Sequence, residues 1–205
     1  LYGSHPCRAP SPHLPCTVSM FIIKPCVLGR CQAAREESAV RLGGDTLRRD
    51  PASLGLLMDK ADVMHTRGYN CAETAVWALS GYWNLDLCTA WVTGFGGGVA
   101  RTGAICGALA GAIAALGSRV GRIEPEDDAG KQLCYCLGQK VIERFRARMG
   151  STDCKDIIGF VLGEPGGAER YAAGGFKGGI CTDAIRTAVL AAIQVWEEET
   201  ASREL

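Results

Sequence analysis

Eleven cysteines in 205 residues are the side chains of this sequence with the clearest capacity for chemistry. A thiol ionises more readily at the start of a helix, where unpaired N–H groups and the helix dipole favour negative charge. Four cysteines share this setting, each in the opening turn of a predicted helix: Cys71, Cys106, Cys154 and Cys181. Because the thiolate is the form that attacks disulfides and binds metals, these four are the candidate reactive group.

Two kinds of chemistry suit four thiolates that lie together. Their mutual repulsion can be offset by a cation, and thiolates are the usual ligands of zinc and of iron–sulfur clusters. Alternatively they can be oxidised in pairs, in one of three disulfide connectivities. Helix starts are also common, so four of eleven cysteines can fall near them by chance. Spacing alone therefore leaves a functional and a coincidental interpretation open.

The remaining cysteines give weaker signals. Cys88 lies among apolar residues and is interpreted as a small buried side chain. Cys134 and Cys136 are two residues apart on a predicted helix, about 200° round its axis, so they cannot easily share one ligand and are interpreted as structural. The N-terminal cysteines lack the close CxxC pairs of a zinc site and are interpreted as incidental: Cys7, Cys16, Cys26 and Cys31.

The stretch Gly94–Gly117 predicts the central element, a glycine loop that leads into a helix of small residues. Glycine inside a helix costs about 1 kcal/mol relative to alanine, so Gly107 and Gly111 indicate that another part of the chain comes close. Thr102 or Gly103 is the predicted N-cap. The sequence thus predicts a buried central helix that carries Cys106 in its first turn.

Other helices are predicted around it. Apolar residues recur at helical spacing from Pro51 until Gly68, and Asn70 with Glu73 forms a capping box for the next helix. His65 is interpreted as a surface or interface residue. Further helices are predicted at 86–92, from 124 to about 149, from 152 to 159 and from about 181 to 199, with a glycine-rich connection at 163–179.

Composition limits the class of protein. The helical patterns and the absence of strand alternation predict an all-α fold with one compact domain at 51–205, and the proline-containing segment at 1–50 predicts a loosely ordered tail. The 22 basic and 22 acidic residues are balanced, so nucleic-acid binding is not expected. No run is long enough for a membrane span, and with this cysteine count we expect a cytoplasmic protein in which the thiols bind metal or do redox work.

The sequence also resembles a known family. GYNCAE at 68–73, GFGGGVARTGAICGALAG at 94–111, the cysteine of STDCKDIIG and Cys181 match, in order, the C_GCAxxG_C_C family of redox-active proteins. The resemblance runs from about Leu56 to Trp196, and the family is in turn similar to the cysteine-bearing domain of split-Soret cytochrome c, for which an iron–sulfur centre has been proposed. It selects the same four cysteines as the helix-start argument. Cys88, Cys134, Cys136 and the tail lie outside the family pattern.

The resemblance implies a redox protein in which Cys71, Cys106, Cys154 and Cys181 bind an iron–sulfur cluster and exchange electrons with a partner protein. No CxxCH is present, so covalent haem is not expected. Two alternatives remain: a thiol–disulfide oxidoreductase with Cys106 as the attacking thiol, and a zinc-stabilised interaction module. A homodimer is a further hypothesis, because helices of small residues can pack closely.

Overall fold

The structure is a computed structural model that describes residues 51–203, so the predicted tail and its four cysteines lie outside the described residues. In the described part there are seven α-helices and one 3-10 helix. The α-helices are α1 (Pro51–Thr66), α2 (Cys71–Trp83), α3 (Gly107–Val120), α4 (Asp128–Met149), α5 (Cys154–Ile158), α6 (Gly167–Ala173) and α7 (Ile180–Arg203), and the 3-10 helix is Thr89–Phe95. Residues 51–203 contain no β-strand, only an isolated antiparallel bridge between Ile105 and Asp153. The predicted all-α class is confirmed.

Helix α3 is the buried central helix that the glycine pattern predicted. Gly107, Ala108, Leu109 and Gly111 in its first two turns are all buried. A Cβ atom on Gly111 would lie 2.5 Å from the carbonyl oxygen of Ala72, so only glycine lets α3 approach the backbone of α2 this closely. The small residues of α3 therefore serve close packing against the start of α2.

The hydrophobic core lies between α2, α3, α4 and α7, with α1 packed on one side. Its largest fully buried side chains include Leu79, Leu109, Leu116, Phe145 and Val189. Burial of each such side chain contributes about 1.5–3 kcal/mol, so this core is the main source of stability. It fixes the helix ends that carry the cysteines.

Polar contacts at the surface join α7 to α1 and α2. Tyr82 on α2 donates a hydrogen bond of 2.7 Å to Glu197 on α7. Arg186 on α7 pairs with Asp59, at 3.2 Å, and with Asp62 on α1. These contacts set α7 against α1 and α2.

Several predicted helix boundaries need correction. The N-cap of α3 is Cys106 itself, not Thr102 or Gly103, because residues 97–101 form a left-handed turn that cannot continue into a helix. The short third helix is the 3-10 helix Thr89–Phe95 and not 86–92. The N-cap of α4 is Asp127, whose carboxylate accepts a 2.8 Å hydrogen bond from the Gly130 N–H. The glycine-rich connection contains the unpredicted helix α6.

None of the helices described between residues 51 and 203 combines the length and the apolar character that a membrane span requires. This agrees with the absence of an apolar run of that length in the sequence.

Candidate redox site

Cys71 is the first residue of α2 and is held there by a strong cap. The side chain of Asn70 accepts hydrogen bonds from the N–H groups of Ala72 and Glu73, at 2.9 and 3.0 Å, and the Glu73 carboxylate accepts one of 2.8 Å from the Asn70 N–H. Asn70 also donates to the carbonyl of Thr93, at 3.0 Å. The predicted capping box is confirmed, and it ties the Cys71 backbone to the 3-10 helix.

Cys106 and Cys154 are brought together by the isolated bridge. The Cys106 N–H donates a 2.7 Å hydrogen bond to the Thr152 carbonyl, and the Cys154 N–H donates one of the same length to the Ala104 carbonyl. Gly98 packs against this bridge, where an added Cβ would lie 2.6 Å from the Cβ of Cys154. The glycine loop thus leaves room for Cys154 beside the start of α3.

Cys181 is the second residue of α7, and the connection that precedes this helix holds it in place. Its N–H donates a 3.0 Å hydrogen bond to the Phe176 carbonyl. The ring of Phe176 lies 5.9 Å from that of Tyr171 and 5.2 Å from that of Phe160, measured between centroids. This aromatic cluster fixes α6, and Tyr171 makes a hydrogen bond to the sulfur of Cys181.

Three of the four helix starts line a cavity of about 520 Å³. Cys71, Cys154 and Cys181 line it, together with His65 and Tyr171. Cys106 does not line the cavity, but it is buried and close enough that its charge would raise the pKa of both Cys71 and Cys154. All four are free thiols. Of the four cysteines that the sequence singled out, three therefore line one cavity and the fourth is buried outside it.

Cys71 acts as the hydrogen-bond donor and Cys181 as the acceptor, and this affects their pKa values in opposite directions. The hydrogen bond to Cys181 and then burial raise the pKa of Cys71 well above its ordinary value of 9.0. The hydrogen bond from Cys71, opposed by burial and reinforced by Tyr171, lowers the pKa of Cys181 to about 7. Cys181 is thus partly ionised at neutral pH while Cys71 keeps its proton.

The other two thiols stay protonated at neutral pH. Burial raises the pKa of Cys154 to about 12, with contributions from the nearby sulfurs of Cys106 and Cys181. Burial also raises the pKa of Cys106, although the N–H groups of Leu109 and Ala108 oppose it by hydrogen bonding. A helix start therefore does not ionise these thiols by itself, because desolvation outweighs the dipole.

His65 is a site residue that the sequence interpretation missed. It was assigned to the surface or an interface, but its side chain is only 3% exposed and its Nε2 lies 3.9 Å from the Cys71 sulfur. Burial, with the positive charge of Lys177, lowers the pKa of His65 to about 4, so the imidazole is neutral. Only its place at the end of α1, six residues before Cys71, was visible in the sequence.

The surroundings of Cys106 and Cys181 differ in ways that bear on which of them could act as an attacking thiol. Both are buried, at 4% and 6% exposure. Cys106 has a raised pKa and does not line the cavity, whereas Cys181 lines it and has a lowered pKa. Cys134 and Cys136 lie on α4 away from the cavity, half-buried and exposed respectively, and Cys88 is half-buried and also outside it.

The donor set suits a metal or a cluster chemically, but the sulfurs are not gathered round one point. Within residues 51–203, no group of three or more histidine, cysteine, aspartate or glutamate side chains is arranged to hold a single metal ion. Zn–S bonds of about 2.3 Å would bring all four sulfurs of a zinc site within about 4 Å of one another. Three of the four cysteines line the cavity instead.

Fold and site define a helical protein whose four free cysteines converge from separate helix starts. A family model described as "Putative redox-active protein (C_GCAxxG_C_C)" matches residues 69–195, and the chain belongs to this family. The match includes all four site cysteines and the whole of α2 to α6. No curated protein and no solved structure matches the chain.

Proposed function

We propose that this protein binds an iron–sulfur cluster through Cys71, Cys106, Cys154 and Cys181 and transfers electrons to a partner protein. The observation that carries the proposal is the proximity of these four thiols, which are separated by up to 110 residues of chain: three line one cavity, and Cys106 is close enough to interact with Cys71. A fold that needed cysteine only as a small apolar side chain would have no reason to gather them. Membership of a redox family agrees with this chemistry.

Cluster binding explains the geometry better than zinc binding does. Three of the four cysteines line a cavity of about 520 Å³, and no group of ligands within residues 51–203 is arranged around a single ion. Iron–sulfur clusters are held by four cysteine thiolates and occupy more space than one metal ion. A cluster, when bound, supplies reversible one-electron transfer.

The protein's own groups would tune such a centre. Tyr171 lowers the pKa of Cys181, and the N–H groups of Ala108 and Leu109 act to lower that of Cys106, so these groups favour the thiolates that a cluster would need. Burial of Cys106 and Cys181, at 4% and 6% exposure, keeps water from two of the four sulfurs. The thiols must lose their protons on binding, since three of them have raised pKa values.

Anaerobic reconstitution with iron and sulfide tests the proposal. We expect iron and sulfide to bind with thiolate-to-iron absorption, and serine at any one of the four positions to reduce iron content or change the electron paramagnetic resonance spectrum. Cys136→Ser is the matched control, because Cys136 is exposed on α4 and outside the cavity. Colourless, iron-free wild-type protein would exclude the cluster.

A second candidate function is thiol–disulfide exchange, and the hydrogen bond between Cys71 and Cys181 favours it. The Cys181 thiolate would attack a partner disulfide, forming a mixed disulfide and releasing one partner sulfur as a thiolate. Cys71, after losing its proton to that thiolate or to water, would attack Cys181 and release the second. The products are a Cys71–Cys181 disulfide and a reduced partner, so two electrons pass to the partner.

Trapping distinguishes the two functions. Exchange predicts that Cys71→Ser accumulates a mixed disulfide between Cys181 and an added model disulfide, such as oxidised glutathione. It also predicts that Cys106→Ser keeps full exchange activity, because Cys106 takes no part. Cluster binding predicts that Cys106→Ser reduces iron loading as much as Cys71→Ser does.

A further inference from the structure

The cavity beside the cysteines has an uneven distribution of charge. Its lining includes the cationic side chains of Arg101 and Lys177, and none of the described lining residues is an aspartate or a glutamate. Neither cation has an ion pair or a side-chain hydrogen bond with another described residue. Glu73, which is close in sequence to the lining residues Asn70 and Cys71, is engaged by the Asn70 N–H and by the Thr93 hydroxyl, at 2.8 and 2.6 Å.

Arg101 is held at the cavity by a strained backbone. Val99, Ala100 and Arg101 follow two glycines and have φ values of 53°, 53° and 66°, so five consecutive residues are left-handed. A non-glycine residue in this conformation costs about 1–2 kcal/mol. The strain is maintained by a 3.1 Å hydrogen bond from the Arg101 N–H to the Gly96 carbonyl and one of 2.9 Å from the Gly163 N–H to the Arg101 carbonyl. Strain of this kind is concentrated at functional sites.

Lys177 approaches the cavity from the other side. It lies between α6 and α7, one residue after the aromatic cluster, and is half-buried. It lines the same cavity as His65, whose Nε2 lies 3.9 Å from the Cys71 sulfur. Two cations from separate segments therefore face one cavity.

We propose that this cavity binds a small molecule carrying a carboxylate or an inorganic oxyanion, between Arg101 and Lys177 and next to the cysteines. An arginine reads the two oxygens of such a group in a planar, bidentate way, while a lysine supplies a point charge. Arg101 and Lys177 both line the cavity, and no aspartate or glutamate of the described residues lines it with them. This proposal rests on the proposed redox function in one respect only, because it takes the anion to be a substrate or effector of the cysteine site.

Paired alkylation of metal-free protein tests this site without iron. Iodoacetate carries a carboxylate and iodoacetamide is its neutral analogue, and both report on the same sulfur. We expect the ratio of the iodoacetate rate to the iodoacetamide rate to be about tenfold higher at Cys181 than at the exposed Cys136, as two moderately exposed charge contacts would give. Because a change in thiol pKa affects both reagents alike, the ratio isolates the charge of the reagent.

Variants connect the effect to the two cations. Arg101→Gln and Lys177→Gln should each lower the ratio at Cys181, and the double variant should bring it to the Cys136 value, whereas Lys140→Gln on the exposed face of α4 should leave it unchanged. Acetate or sulfate at fixed ionic strength should compete with iodoacetate at Cys181 in the wild type. Acetate competing alone would identify a carboxylate as the ligand, and sulfate alone an inorganic oxyanion.

Three outcomes would overturn the proposal. Equal ratios at Cys181 and Cys136 in the wild-type protein would exclude an anion site, whatever the variants do. An unchanged ratio in correctly folded Arg101→Gln and Lys177→Gln proteins would assign the effect to other groups. Loss of iron binding in these variants, with no iodoacetate preference in the wild type, would mean that the cations serve only the cysteine centre. Failure of iron binding with the preference intact would reject the cluster and keep the anion site.

Discussion

At the scale of single residues, the neighbours of each sulfur decide its chemistry more than its place at a helix start does. Cys106 and Cys181 both open long helices, yet burial raises the pKa of the first while hydrogen bonds from Cys71 and Tyr171 lower that of the second. A helix dipole contributes about 0.3–1 kcal/mol, which is less than the desolvation of a buried thiolate costs. Reactivity should therefore depend on Tyr171.

Replacing Tyr171 with phenylalanine should raise the pKa of Cys181. The variant keeps the ring that packs on Phe176 but lacks the hydroxyl that hydrogen-bonds to sulfur. A hydrogen bond to a charged group contributes about 1.5–3 kcal/mol, so an upward shift of about one pKa unit is expected. The measurement is the pH dependence of iodoacetamide labelling at Cys181 in metal-free protein. Tyr135→Phe on α4, 60% exposed, is the control, and an unchanged Cys181 profile would contradict the assigned hydrogen bond.

Protonation of His65 should make the metal-free protein less stable in mild acid. Burial and the charge of Lys177 lower its pKa from 6.5 to about 4 in the fold, while Asp62 opposes the shift. Between these pH values the unfolded histidine binds a proton that the folded one does not, so stability falls as pH decreases from 6.5 to 4. The loss approaches roughly 3 kcal/mol.

Urea unfolding of the wild type and of His65→Gln, at a series of pH values, measures this effect. Carboxylates titrate in both proteins, so the difference between the two stability curves isolates the histidine. The variant should lose less stability from pH 6.5 to 4 even if it is less stable throughout. Parallel curves would mean that His65 is protonated as easily in the fold as in the unfolded chain.

At the scale of elements, one close approach sets the spacing between Cys71 and Cys106. These residues open α2 and α3, and the helices meet where Gly111 contacts the Ala72 backbone. The added Cβ of alanine would lie 2.5 Å from the Ala72 carbonyl oxygen, so the helices would have to separate. Both cysteines belong to the segments that would move.

Gly111→Ala should therefore destabilise the protein although alanine favours helices. We expect a loss of about 1–3 kcal/mol from overpacking, reduced by up to about 1 kcal/mol of helix propensity, together with lower iron loading. Gly138→Ala is the matched control on α4, because the nearest atom to its Cβ would be 4.0 Å away on Ile113. That control should be neutral or more stable. Chemical denaturation and iron analysis measure both effects, and equal results for the two variants would refute the close-approach argument.

The elements also explain which features the sequence could predict. The Asn70–Glu73 capping box and the glycines of α3 were recognised because their causes are local: side chains that cap N–H groups, and glycines whose cost requires a close neighbour. The start of α3 was placed too early because left-handed values at Val99, Ala100 and Arg101 depend on tertiary hydrogen bonds that no residue pattern records. The burial of His65 likewise depends on packing.

Tyr171 and Lys177 are two further cavity residues that the sequence pattern did not reveal. The segment at 163–179 is rich in glycine and was interpreted as a connection, yet it contains α6 and contributes two cavity residues. The aromatic contacts of Phe176 with Tyr171 and Phe160 hold this segment in place. No local sequence pattern reveals these contacts. Four cysteines could be selected from sequence, but not the groups that control them.

At the scale of the whole molecule, the hydrophobic core and the cysteine cavity are largely separate. The core is built from leucine, valine, alanine and phenylalanine side chains of α2, α3, α4 and α7, and of the four site cysteines only Cys106 is counted among its buried members. A homodimer remains a prediction, for which light scattering of the intact chain is the measurement. Because the core is separate from the cavity, we expect the chain to fold without a bound cofactor and not to depend on a metal for folding.

Removing the metal should leave the helical fold in place. After anaerobic reconstitution, chelation is expected to abolish the thiolate-to-iron absorption while the far-ultraviolet circular dichroism is retained, because core residues such as Leu79, Leu109 and Phe145 are fully buried and do not line the cavity. The melting temperature should fall only by the amount that ligand binding adds, which increases with the logarithm of ligand concentration over its dissociation constant. Unfolding on chelation would instead mean that metal coordination supplies the folding free energy, as in a zinc-stabilised module. Because each thiol with a raised pKa must lose its proton to bind, reloading should be weaker at pH 6 than at pH 8 and should release protons.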